Sequence, residues 1–173
     1  MTRPSGSKHV KDLVKLLHQL ERLHDQLAVA VRSKLDAMRA ADLTSLHAAG
    51  RKEQELVKRI HEREGLRRQI MDAIGDHLGM APRTARLMTV SQLVERIPTE
   101  QGRPVGQAAD ALRNAVATVA RTNAIAGVVA KELVNHLQRV WAAVRPAGED
   151  PVGYTDAGIP ALGSSHRIFE ALG

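Results

Sequence analysis

The chain has 173 residues, of which 43% are hydrophobic and 2% aromatic, and its formal net charge is +6. The lack of cysteine excludes a disulfide framework and a thiol nucleophile, and the scarcity of aromatic and β-branched runs argues against a sheet, so we predict an all-α fold. No uncharged apolar run approaches the roughly 18 residues of a membrane span, and the polar N-terminus is not a signal peptide, which predicts a cytoplasmic protein without membrane insertion.

The first predicted element is a long helix over residues 7–40, with Ser7 as a suitable N-cap. Its apolar residues recur at helical spacing along one stripe: Val10, Leu13, Leu17, Leu20, Leu27, Val31 and Met38. The phase of this stripe breaks near Asp42, which is itself a capable N-cap. We therefore expect a tight turn there and a second helix over 44–78. Because the two helices have nearly equal lengths, they should form an antiparallel hairpin.

Strong stop signals follow the second helix. Gly79 can adopt the left-handed conformation that ends a helix, and Pro82 prevents its continuation. Thr89 and Gln92 then predict a capping box at the start of one short helix over 90–97. The next segment, 99–106, contains two glycines and a proline and is expected to be a loop.

The last predicted helix, over 107–145, carries more apolar surface than one helical seam requires. Such a helix is either central in a bundle or keeps a second face for a binding partner. The partner hypothesis places binding on a set of aliphatic residues, and the alternative is that the same residues fill the core: Val116, Val119, Ile125, Val128, Val129 and Leu133. The overall expectation is an elongated bundle of three long helices.

After Arg145 the composition changes abruptly to proline and glycine, which predicts a bundle domain over 1–145 and a flexible tail over 146–173. Ser164 or Ser165 could cap a short terminal amphipathic helix that carries Ile168, Phe169 and Leu172. The aromatic residues all lie late in the chain, at Trp141, Tyr154 and Phe169. In such a tail, an aromatic side chain is either packed back on its own domain or held out as an anchor.

The histidines do not form a catalytic or metal-binding pattern. Glu21 and His24 have the Glu-x-x-His spacing of di-iron bundles, but no second copy exists, and His24 is better explained at the edge of the core. Gly-rich phosphate loops, nucleophile elbows and clustered carboxylate pairs are also missing. We therefore predict no enzyme activity, no metal and no cofactor.

The order of these elements resembles the FlgN family of flagellar type III export chaperones over nearly the whole chain. The similarity lies in Leu13 to Leu27, in the second helix, in Thr89 and Leu93, and in the tail at Tyr154 and Gly158. The matching residues of the second helix are Asp42, Leu46, Lys52, Glu53, Leu56, Ile60, Arg67 and Ile70. The last helix has Asn123 but Ala126 where the family usually has a second asparagine.

This resemblance implies a cytoplasmic chaperone that binds the C-terminal helices of the hook-filament junction proteins FlgK and FlgL, keeps them unpolymerised and delivers them to the export gate protein FlhA. It implies that Asn123 contacts these clients, whereas a buried asparagine could instead fix the register of the bundle. It also implies that Tyr154 docks on the gate, with Gly158 shaping the turn after it.

The alternative function is a coiled-coil scaffold or a nucleic-acid-associated helical bundle, which the net charge of +6 invites. However, the basic residues are spread thinly along the chain, and residues 146–173 carry four acidic and one basic side chain. Without a basic patch interleaved with aromatic residues, we expect no nucleic-acid partner.

Overall fold

The computed structural model describes residues 4–144, 153–154 and 160–161. Three helices in it are long, α1 (Pro4–Arg39), α2 (Leu43–His77) and α5 (Thr99–Val144), and two are short, α3 (Pro82–Leu87) and α4 (Val90–Arg96). The prediction of an all-α fold built on three long helices is confirmed. The chain divides into two compact units, Met1–Lys131 and Glu132–Gly173.

The predicted turn between the first two helices lies where the apolar phase breaks. Ala41 takes a left-handed backbone conformation with φ of 52°, and the N–H of Asp42 donates to the carbonyl of Ala37 at 3.0 Å. The carboxylate of Asp42 then accepts hydrogen bonds from the N–H of Ser45 at 3.0 Å and from its hydroxyl at 2.6 Å. This cap starts α2 and confirms the turn.

Contacts between α1 and α2 show that the two helices run antiparallel. Near the turn, Lys34 of α1 forms an ion pair with Glu53 of α2. At the other end of the hairpin, Leu13 of α1 and Ile74 of α2 lie in one hydrophobic cluster. The first half of α1 therefore packs against the last turns of α2. The fully buried Leu56 lies between these points and packs against the second half of α1. The hairpin prediction is therefore confirmed.

Within the first unit, residues 99–131 of α5 pack along this hairpin in the same direction as α1. Val105 and Ala108 join the first cluster with Val10 of α1, and Ala126 joins the second cluster with Leu27. Since later residues of α5 meet later residues of α1, the two helices are parallel. α1 contributes to both clusters and supplies most of the large buried side chains of the second.

Two expectations about the connection between α2 and α5 were wrong. Residues 99–106 are helical rather than a loop, and α5 contains Pro104. Burial of Gly102 and Val105 explains this result, because tertiary packing offsets the hydrogen bond that a proline removes. The region before Thr89 also contains α3, a short helix that was not predicted. Pro82 lies at the start of α3, where a proline is well tolerated.

The other local signals agree with the structure. Gly79 has a φ of 70°, as expected for the residue that follows a helix end. Thr89 and Gln92 form the predicted capping box, with N–H to oxygen distances of 2.9 and 3.2 Å. Later in the chain, β1 (Gly153–Tyr154) pairs antiparallel with β2 (Pro160–Ala161). The predicted terminal helix with Ile168, Phe169 and Leu172 lies outside the described residues, as does Gly158.

Candidate functional site

Helix α5 leaves several large aliphatic side chains exposed, although most of its fully buried residues are small. Its buried residues are Gly102, Val105, Ala108, Ala115 and Ala126. By contrast, Val116, Ile125 and Val128 are 43%, 51% and 63% exposed, although each is larger than the alanines that face the hairpin. The core of the first unit therefore does not use these three aliphatic side chains.

The six aliphatic residues proposed for partner binding do not share one environment. Val119 and Val129 are half-buried and pack against the second hydrophobic cluster, so they belong to the edge of the core. Val116, Ile125 and Val128 are exposed. Asn123 is exposed as well, which is inconsistent with a buried asparagine that fixes the register of the bundle.

The exposed members lie on two different faces of α5. Ile125 and Val128 are three residues apart and therefore neighbours, on the side of the helix that faces away from Ala126. Val116 and Asn123 are seven residues apart, which places them about 20° from each other around the axis on a second face. The rotation between Val116 and Val128 is about 120°, so one straight partner helix cannot cover both faces.

The remainder of α5, Glu132–Val144, belongs to the second compact unit and has an apolar stripe of its own. Leu133 is half-buried, and the residues that follow it at helical spacing are more open: Leu137 57%, Val140 46%, Trp141 69% and Val144 73% exposed. Glu132, Asn135, Gln138 and Arg139 occupy the remaining surface. The sequence did not lead us to propose Leu137, Val140 and Val144 for binding. The signal that could have indicated them is the predicted length of the last helix, which exceeds that of the first two.

The other residues singled out in the sequence, His24 and Tyr154, have simple structural settings. The Nδ1 of His24 lies 2.8 Å from the carbonyl oxygen of Leu20 on the same helix. Over the described part of the chain, no three histidine, cysteine or acidic side chains group as metal ligands. Tyr154 lies in β1, with its backbone opposite Pro160.

Membrane crossing would require a longer apolar helix than any found among the described residues.

Comparison with known proteins gives a match to one family model, described as FlgN protein, over residues 1–161. No curated protein matches the chain, and no solved structure does so.

Proposed function

The chain belongs to the FlgN family, the family of flagellar export chaperones, and we propose that it binds the C-terminal helices of the junction proteins FlgK and FlgL through α5. In this proposal it acts in the cytoplasm without catalysis. It keeps its clients from polymerising before export and delivers them to the gate protein FlhA.

The observation that supports α5 as the client surface is the set of aliphatic side chains on this helix that the core leaves exposed. An amphipathic client helix could cover Ile125 and Val128 in the first unit, and the stripe from Leu137 to Val144 offers a comparable face in the second. Each large aliphatic side chain that is fully covered contributes about 1.5 to 3 kcal/mol. Several such contacts would compete with client self-assembly and still allow release at the gate.

Charge next to the first of these faces adds selectivity. Arg121 precedes Ile125 by four residues and Lys131 follows Val128 by three, so both lie on the same side of α5, and both are exposed. Acidic positions on the client helix would complement these side chains. Since such exposed pairs contribute little affinity, their main effect would be to orient the client.

Substitution of Ile125 and Val128 with aspartate tests the client surface. We expect the double variant to lose co-purification with C-terminal fragments of FlgK and FlgL, while circular dichroism shows unchanged helix content. The matched control is the double substitution Val57→Asp and Val29→Asp, because these residues of the hairpin are 50% and 57% exposed against 51% and 63% for Ile125 and Val128. Equal binding by the two double variants would contradict this surface. Loss of helix content in the α5 variant alone would instead assign Ile125 and Val128 to the core.

For the second half of the proposal, Tyr154 is the anchor on the export gate and Gly158 shapes the turn after it. Family membership supports this role, since the matched segment, 1–161, includes both residues. A tyrosine suits an anchor because it offers a large apolar ring and one hydroxyl at a small entropic cost.

A further inference from the structure

The stripe on the last three turns of α5 is a large apolar surface without a partner among the described residues. Leu137, Val140, Trp141 and Val144 are between 46% and 73% exposed, and they follow one another at intervals that keep them on one side of the helix. Contiguous exposed apolar patches of this kind usually mark an interaction site. The nearest chain segment able to occupy it is the tail of the same molecule.

The strand pair in the tail brings two parts of the chain side by side. Because β1 and β2 are antiparallel, with Gly153 opposite Ala161, the segments before β1 and after β2 start from neighbouring points. Gly153 is nine residues beyond Val144, and Phe169 is eight residues beyond Ala161. The segment from Val144 to Gly153 and the segment from Ala161 to Phe169 therefore have nearly equal reach, about 25 to 30 Å when extended. Phe169 can thus reach the last turns of α5.

The residues after Ala161 complement the stripe in apolar spacing and in charge. Ile168, Phe169 and Leu172 have the spacing of an apolar helix face, and Ser165 can cap such a helix. The tail from 146 to 173 has a net charge of −3, from Glu149, Asp150, Asp156 and Glu170 against Arg167. Arg139 near the end of α5 and Arg145, the next residue in sequence after α5, provide complementary charge, with Glu132 two turns before Arg139.

We infer that the terminal segment, 165–172, docks in cis on the stripe of Leu137, Val140, Trp141 and Val144 and occupies it until a client arrives. The functional consequence of this docking rests on the proposed function, since the occupied stripe is part of the surface offered to clients. Docking in cis protects free chaperone from self-association through an exposed apolar surface. Clients must displace the segment, so it acts as a built-in competitor.

Trp141 is the only tryptophan of the chain and reports on this docking directly, without any client. In the full-length protein we expect blue-shifted emission and weak quenching by acrylamide. The double variant Ile168→Asp and Phe169→Asp should shift the emission to the red and increase the quenching constant about twofold, because the indole ring becomes uncovered. A control with the same added charge in the same segment, Ser164→Asp and Ser165→Asp, should keep most of the protection.

Identical spectra for the wild type and for the Ile168 and Phe169 variant would overturn the inference. Protection that disappears on dilution would also overturn it, because a second copy of the chain would then be the occupant. Binding of client fragments is measured separately. Release of the segment should tighten client binding about tenfold if the docked state holds about nine-tenths of the molecules. If the fluorescence change occurs without any change in client binding, docking stands and the last turns of α5 are not a client surface.

Discussion

Asp42 begins α2 by accepting hydrogen bonds from the backbone and hydroxyl of Ser45. The hydroxyl bond, followed by the backbone bond, lowers the pKa of the Asp42 carboxyl below its ordinary value of 3.8. For a carboxyl group whose pKa is lowered in the folded state, the stabilisation is fully present when the pH is above the pKa of the unfolded state. This stabilisation is lost as the pH falls through the pKa of the folded state. The cap therefore supports the hairpin at neutral pH and fails only in acid.

Replacing Asp42 with alanine should lower the melting temperature by about 2 to 4 °C at pH 7, because the first turn of α2 loses its cap. Asp42→Asn is the matched control, since asparagine also caps helices but does not titrate. We expect it to keep most of the stability at pH 7 and to remove the loss in acid that comes from this residue. Thermal melts by circular dichroism between pH 2 and pH 7 measure both effects. An alanine variant as stable as the wild type would show that the turn is held by its backbone alone.

At the scale of elements, α3 lies against α2 where α2 has a glycine. A Cβ atom added at Gly75 would lie 2.3 Å from the Cβ of Ala85, so no side chain fits there without moving α3. Gly65, in the same helix, has no neighbouring atom within 4 Å of such a Cβ. Substitutions at these two glycines therefore distinguish the effect of packing on stability from the effect of helix propensity.

We expect Gly75→Ala to destabilise the protein by about 1 to 3 kcal/mol, because overpacking exceeds the gain in helix propensity. Gly65→Ala should instead stabilise it by roughly 0.5 to 1 kcal/mol. Urea denaturation of the two variants beside the wild type gives the free energies of unfolding. Stabilisation by both substitutions would mean that α3 is not held closely on α2.

At the scale of the whole molecule, the proposed function assigns client binding to exposed faces of α5 and gate docking to Tyr154. Ile125 and Val128 lie in the unit that contains the hairpin, whereas the second client face, from Leu137 to Val144, lies in the same unit as Tyr154. A chaperone with this division can hold a client and present its docking residue at the same time. Substitutions in one segment should consequently leave the other activity intact.

Replacing Tyr154 with alanine should weaken binding to the cytoplasmic part of FlhA at least about tenfold, as expected for an aromatic anchor. Binding of FlgK and FlgL fragments and the melting temperature should not change. Tyr154→Phe keeps the ring and should retain most of the gate affinity, which separates the apolar contact from the hydroxyl. The three quantities can be measured by titration calorimetry and a thermal melt. A lower melting temperature with intact gate binding would show that Tyr154 only packs against its own chain.

Elements with local signals could be predicted from the sequence alone. The stripe of α1, the phase break before Asp42 and the capping box at Thr89 each depend on a few neighbouring residues, and family resemblance follows from the order of such elements. The start of α5 at Thr99 was not predictable in this way, since burial of Gly102 against α4 overrides the proline signal.

Only the tertiary structure decided which apolar residues of α5 are core and which are surface. Aliphatic residues surround much of this helix, so periodicity leaves its orientation open. In the bundle, Ala126 packs with Leu27 and Leu56, and Ala115 is buried as well, while Ile125 and Val128 stay exposed. The helices that α5 packs against decide this choice, because their apolar side chains determine which face of α5 is removed from water.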